Sequence, residues 1–330
     1  MTAHIFEETP VTCAQINACA YSHWSKYFED HIPAAKIFKD VPQAFLEYLR
    51  SESIRLPNSA IIDRVEANSD NDYSDWEDEE SSSIDPVAPF MDFHQELQSL
   101  VSKWRKVVVK LNWSAPKDAK WILINNSLEC TCVNDIYLLL NASDHITHDL
   151  NGHIYDECED KDTGESLEPE LVIKKHISEL NPALEFRLFV RGGEIIAASQ
   201  RDLNHYQFLE GLKEKIHSTI SKFHRNVLSQ SKFPLRDYIM DVYIASPYDT
   251  VTIIDINPFT RKWDGLLFTW MELLEKDVDG IFELRLITET NMGAMGRKEH
   301  SESQVPIEVV DALLNSEAMA ELAREWQKLQ

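Results

Sequence analysis

The sequence predicts an α+β protein in which an antiparallel sheet is backed by helices, and three observations lead there. Short β-branched and aromatic runs such as "RKVVVKL", "LEFRLFVR", "EIIAASQ" and "VTIIDINPF" recur through the chain. Other stretches place aromatic and aliphatic residues three and four apart, as a helix with one buried face requires. The runs "LEFRLFVR" and "EIIAASQ" are joined only by Gly192-Gly193, a connection too short for a crossover helix, so they pair antiparallel.

In order along the chain, residues 12–50 read as helices, with "QINACAYSHWSKYF" and "VPQAFLEYLR" carrying the helical period before "RLPNS" breaks it. From Val65 to Ser102 there is no Lys or Arg, and the centre, "NSDNDYSDWEDEESSS", has no apolar period. Such a segment buries too little to offset chain entropy, so an acidic disordered insertion is expected near residues 66–85. A helix at "FHQELQSLVSKW", a strand at "RKVVVKL", a second short strand at "WILI" and a helix at "VNDIYLLLNASD", capped by Asn or Asp, follow. A polar loop, "NGHIYDECEDKDTGESLEPE", leads to strands at "LVIKKHI", "LEFRLFVR" and "EIIAASQ". A long helix is expected near 205–229, then a hairpin over 237–259, then a helix at "WDGLLFTWMELLEK". After Met292 the chain turns polar and is expected to end in a helix.

The 330 residues carry 56 acidic and 32 basic side chains, a formal charge of -24. That argues against a nucleic-acid backbone as the main partner, because such binding rests on Lys and Arg. A basic protein surface or a small anion in a local positive pocket remains compatible. No window reaches the ~18 apolar residues of a membrane span, and "MTAHIFEETP" lacks the order of a signal peptide. The five cysteines include no C-x-x-C pair, and Cys130 and Cys132 would be same-face neighbours on a strand. They read as reduced thiols of a cytosolic or nuclear protein.

The chemistry concentrates on the strands. Asp255 and Asn257 are two apart and share a strand face. An odd-numbered loop around "SPYD" would set Asp241 opposite Asp255, and an even one would turn it to the other face. Converging carboxylates need a cation between them, and hard oxygen donors suit Mg²⁺. Taken alone, the trio also fits solvent-facing positions of a half-exposed sheet. Lys110 ends an apolar strand and precedes a loop of small residues, a phosphate cradle or a snorkelling edge lysine. Lys174 and Lys175 face opposite sides of their strand, so one points inward. Arg187 shares a face with Glu185 and Phe189 and needs a carboxylate or phosphate partner, with Arg201 a second such group. The nine glycines form neither a Rossmann fingerprint nor a P-loop, and neither a G-x-S-x-G elbow nor an H-E-x-x-H pair occurs. His145 and His148, three apart in a polar context, read as surface. Together, the basic strands and the Asp, Asp, Asn set are what holding a nucleoside triphosphate with Mg²⁺ requires.

The order "VVVKLNWSAPKDAKWI", "LVIKKHI", "EFRLFVR", "ASQRD", "DVYI", "VTIIDINPF", "LLFTWMELL" closely resembles the eukaryotic cell-division-cycle ATP-grasp family, over roughly residues 15–285. The resemblance implies an ATP-grasp fold, two α+β lobes with ATP and Mg²⁺ between them. Residues 1–175 would form the first lobe, 176–290 the second, and 291–330 a polar linker and helix. It implies an assembly role for translation initiation factor two, through binding of that factor's gamma subunit, by a cytoplasmic protein that is a monomer on its own. Carried onto this chain, Lys110 contacts phosphate, with Trp113, Ala115 and Asp118 in the covering loop. Lys174, Lys175 and His176 run along the adenine, Arg187 reaches the phosphates with Arg201 a further cofactor-binding residue, and Asp241, Asp255 and Asn257 hold Mg²⁺. No catalytic residue is assigned. An ATP-grasp ligase or kinase-like transferase acting on a protein is the alternative.

Overall fold

Two sheets carry the fold of the computed structural model, which describes residues 9–51, 54–57, 85–178 and 180–288. The N-terminal segment forms two short helices, α1 (Cys13–Ala18) and α2 (Tyr21–Trp24). Thr12 caps α1 by accepting from the Gln15 N–H, and Gln15 reaches back to the Thr12 N–H. A strand that the helical reading of residues 12–50 missed, β1 (Ala35–Phe38), precedes α3 (Gln43–Leu49). The expected acidic insertion around "NSDNDYSDWEDEESSS" and the C-terminal helix lie outside the described residues.

After α4 (Met91–Trp104) come β2 (Val107–Lys110), α5 (Val133–Asn141), α6 (Asp144–Leu150) and β3 (Leu171–Lys175). The three strands form one antiparallel sheet in the order β1-β3-β2. Helices α3 to α6 cover one face of it, and Phe45, Leu97, Val109, Ile136 and Ile173 meet in the core between them. Two local expectations fail in this region. "WILI" is no strand: residues Lys117–Ile122 form a 3₁₀ helix opened by Pro116, which leaves Trp121 and Ile124 exposed. α5 is capped by Cys132 rather than by Asn or Asp at the cap position, because Asp135, three residues in, accepts from the Thr131 and Cys132 N–H groups. Cys130 forms an isolated bridge to Val107, so it and Cys132 do not share a strand.

The second sheet holds β4 (Glu185–Arg191), β5 (Glu194–Gln200), β6 (Tyr238–Tyr243), β7 (Thr252–Pro258) and β8 (Glu283–Arg285) in the order β7-β6-β4-β5-β8. It is antiparallel except that β8 runs parallel to β5. The β4–β5 hairpin turns on Gly192 and Gly193, both at positive φ, which type I′ geometry requires and glycine adopts without steric cost. The expected long helix is α7 (Gln207–Phe223), continued by one π-helical turn over His224–Leu228. Its Ile216 and Ile220 share a core with Phe186, Leu188, Val190 and Met240, the alternate residues of β4 and β6 that face it. On the other face, Phe189, Ala197 and Ile239 pack against Phe268 and Leu273. Of "WDGLLFTWMELLEK" only α8 (Trp270–Glu275) is helical, its start fixed by a capping box between Thr269 and Glu272. The α+β expectation holds. All five cysteines are free and all but Cys132 are buried. Among the described residues no helix is long and apolar enough to cross a membrane.

Candidate functional site

β7 is the edge strand of the large sheet, and two lysines of the small sheet reach it. Lys110, at the end of β2, donates from Nζ to Asp255 Oδ1 at 2.6 Å. Lys174, on β3, donates from Nζ to the Ile254 carbonyl at 2.7 Å. Both ammonium groups also lie over the ring of Tyr21, at 5.8 and 5.3 Å from its centroid. Tyr21 packs edge-on against Trp24, so α2 forms an aromatic floor beneath the two cations.

Across the large sheet, Asp255, Asp241, Arg187 and Ser199 stand side by side on β7, β6, β4 and β5. The loop joining β6 to β7 covers residues 244–251, an even number, and alone it would set Asp241 opposite Ile254. A β-bulge intervenes: Val242 pairs with Ile253 and Asp241 with Asp255, leaving Ile254 as the extra residue. The bulge thus brings the two aspartates onto one face and also frees the carbonyl that Lys174 takes.

The carboxylates do not repel one another across an empty gap, because each meets a cation. Arg187 grips Asp241 with both ends of its fork, Nε to Oδ1 at 2.8 Å and Nη2 to Oδ2 at 3.0 Å, and donates from Nη1 to the Asp264 carbonyl. Arg201 Nε stands 3.2 Å from Asp241 Oδ2, without an aligned hydrogen bond, while its Nη1 meets Glu185 Oε2 at 2.5 Å. Burial alone would raise the Asp241 carboxyl; Arg187 and Arg201 overcome it and hold the group well below the usual carboxylate range. Burial likewise opposes the Arg201 charge, yet Asp241 and Glu185 keep its pKa raised.

The 3₁₀ helix after β2 adds two further lysines. Burial first, and then the neighbouring Arg201 cation, push Lys117 down to about 7, with Asp241 and Asp255 partly compensating. Lys120 is lowered by the same two causes in the same order. Lys174 is pushed down to about 8 by burial and by Lys110. Five cationic side chains (Lys110, Lys117, Lys174, Arg187 and Arg201) therefore surround three carboxylates, Asp241, Asp255 and Glu185. Within a chain of net charge -24 this is a local positive surplus.

The structure brings Lys110, Lys174, Arg187, Arg201, Asp241, Asp255 and Asn257 to this face and sends the remaining candidates elsewhere. Asn257 is buried, and its side-chain amide has no hydrogen-bond partner among the described residues. Trp113 lies in the core, donating from Nε1 to the Ile16 carbonyl at 2.8 Å with its ring edge-on to Tyr155. Asp118 turns away from the basic cluster: it accepts from Ser143 Oγ at 2.6 Å and the Asp144 N–H at 2.8 Å, fastening the start of α6. Ala115 is half-buried in the loop, whose shape is held by Ser114 donating to Asp149 from its N–H and hydroxyl. Burial raises that carboxyl to about 6. Lys175 is exposed, and His176 donates its N–H to the Lys106 carbonyl at 3.0 Å, with its ring 3.7 Å from Glu129. Lys117 and Tyr21 went unread in the sequence. The signal for Lys117 was its spacing from Lys120, since residues three apart eclipse on a 3₁₀ helix.

A sequence profile of the family described as D123 matches residues 24–313. The chain is 45% identical to the Candida glabrata protein named "Cell division cycle protein 123", over 98% of this chain and 95% of that one. It is 46% identical to the Candida albicans "Translation initiation factor eIF2 assembly protein", over 98% and 96%. The solved structure of Cdc123 from Schizosaccharomyces pombe superimposes with a TM-score of 0.69 at 34% identity, covering 85% of this chain and 99% of that one.

Proposed function

From the premise that this chain belongs to the D123 family, we propose that it is an assembly factor of translation initiation factor two, working in the cytoplasm. It binds that factor's gamma subunit and carries ATP with Mg²⁺ in an ATP-grasp cleft between the two sheets. The name of the Candida albicans relative supports the assembly role. The observation that carries the nucleotide reading is the cationic cluster around Asp241 and Asp255 in an otherwise strongly acidic chain. A triphosphate satisfies that surplus, because Lys110, Lys117 and Arg201 can turn charge-assisted hydrogen bonds to its oxygens.

The donor set fits Mg²⁺. Asp255 Oδ2 and the Asn257 amide have no hydrogen-bond partner among the described residues, and they share one face of β7 with Asp241 alongside. Mg²⁺ bound there would neutralise phosphate charge. Arg187 holds Asp241 in place, and the Tyr21 ring supports Lys110 and Lys174 from below. ATP occupancy would fix the small sheet against β7 and so set the shape offered to the gamma subunit.

Calorimetry of ATP binding with and without Mg²⁺ tests this reading. Asp255→Asn retains an acceptor for Lys110 and is expected to lose most of the Mg²⁺-dependent affinity, a drop of about tenfold to a hundredfold for a charge-assisted contact. Wild-type affinity in that variant at saturating Mg²⁺ would exclude the metal assignment. A gamma subunit that is not retained by the immobilised chain would exclude the partner.

A further inference from the structure

We propose that Cys13, Cys158 and Asp160 form a second cation site, separate from the carboxylates of the cleft, which takes a thiophilic divalent ion such as Zn²⁺. The two Sγ atoms and a carboxylate oxygen of Asp160 all lie within 4.8 Å of one another. A tetrahedral zinc with Zn–S bonds of about 2.3 Å holds two sulfurs roughly 3.8 Å apart.

The ligands come from two segments that are already tied together. Cys13 opens α1, and its N–H donates to Asp160 Oδ1 at 2.7 Å. Val11 bridges to Cys158, and its carbonyl accepts from the Glu159 N–H at 3.0 Å. Further along, Tyr155 donates its hydroxyl to Asn17 Oδ1 at 2.6 Å, and Asn17 donates to the Glu165 carbonyl at 2.7 Å. The ligand frame therefore exists before any ion binds. Gly164 completes it: a Cβ there would stand 2.5 Å from Cys13 Sγ, so the loop can close over the sulfur only with glycine.

Chemistry selects the ion. Two thiols and one carboxylate favour Zn²⁺ over Mg²⁺, and binding releases the thiol protons as the S–Zn bonds form. Asp160 is half-buried while the two cysteines are buried, so an ion would enter from the carboxylate side, with a water completing a tetrahedral set. Asp156, Glu157, Glu159 and Asp162 surround that mouth in sequence, with Lys161 the one cation among them. An ion there would clasp α1 to the loop, and α1 leads directly into α2, whose Tyr21 floors the nucleotide cleft.

Co²⁺ is the spectroscopic probe, added to the full-length, reduced, metal-free chain. One equivalent is expected to give thiolate charge-transfer and tetrahedral d–d bands, retained in Asp255→Asn and bleached by Zn²⁺. Cys13→Ala and Cys158→Ala should each abolish the charge-transfer band. Asp160→Asn keeps an acceptor for the Cys13 N–H, hence the local fold, and should weaken Co²⁺ by about tenfold or more. If a cysteine variant fails to fold by circular dichroism, Asp160→Asn decides. Absence of the bands in folded wild type, their loss in Asp255→Asn, or an unchanged Co²⁺ affinity in Asp160→Asn would overturn the site.

Discussion

Lys117 is the side chain whose chemistry is most tunable. Burial and the adjacent Arg201 bring its ammonium to about 7, so at neutral pH it is protonated in only part of the molecules. A phosphate ligand binds the protonated form and raises the pKa in the complex. On the proposed function, Mg²⁺-saturated ATP affinity is expected to be greatest below pH 7 and to fall as pH rises through 7, by at most about tenfold per pH unit for one proton. Lys174, at about 8, extends the fall upward. Lys117→Met should bind ATP more weakly at pH 6 and flatten the profile near 7; a wild-type affinity constant from about pH 6 to 8 would remove Lys117 from the phosphate site. The buried pairs impose a rule on such experiments. Removing Arg187 strands Asp241, which is 1% exposed, and an orphaned buried charge costs about 3–5 kcal/mol. A loss of ATP binding in Arg187→Ala would then report unfolding as much as phosphate contact.

Elements decide what single residues cannot. The β6–β7 hairpin has an even loop, and parity alone points Asp241 away from Asp255; the Ile254 bulge reverses that outcome. Deleting Ile254 would make the ladder regular while keeping Asp241 opposite Asp255, and would remove the carbonyl that anchors Lys174. The expected result is Mg²⁺-dependent ATP binding that survives, with the Lys174 contribution gone. Lys174→Ala should then add nothing on top of the deletion, since the two changes act on one contact. Full additivity by calorimetry would show that the bulge carbonyl does not position Lys174. The 3₁₀ helix at Lys117–Ile122 makes a related point, because it converts a segment with strand-like composition into a platform for Lys117 and Lys120.

At the scale of the molecule, a net charge of -24 coexists with a local cluster of Lys and Arg side chains around Asp241, Asp255 and Glu185. The acidity is concentrated in part between Val65 and Ser102, which hold eleven Asp and Glu side chains and no Lys or Arg. On the proposed function, this stretch would steer a basic partner surface, which would speed encounter more than it tightens the final complex. Deleting residues 68–83 is expected to slow association with the gamma subunit, chiefly at low ionic strength, and to leave ATP affinity unchanged. Stopped-flow association rates identical to wild type at low salt would show that the stretch plays no part in encounter.

The sequence by itself determined the α+β class, the six strands β2 to β7 from "RKVVVKL" to "VTIIDINPF", and the presence of basic strands beside an Asp, Asp, Asn hairpin in one chain. Alternation and β-branching are local properties, so they survive without a tertiary context. Strands β1 and β8 were hidden because each is held by a neighbour rather than by its own pattern: β1 by β3, β8 by β5. The roles of Asp118 and Trp113 were also beyond reach, since one answers to the N–H groups of α6 and the other to a carbonyl of α1 far away in the chain. Which cation each buried carboxylate meets was settled only in three dimensions. Asp241 finds Arg187 across a strand pair, whereas Asp255 finds Lys110 from the other sheet, because Coulomb pairing depends on distance in space and not on spacing along the chain.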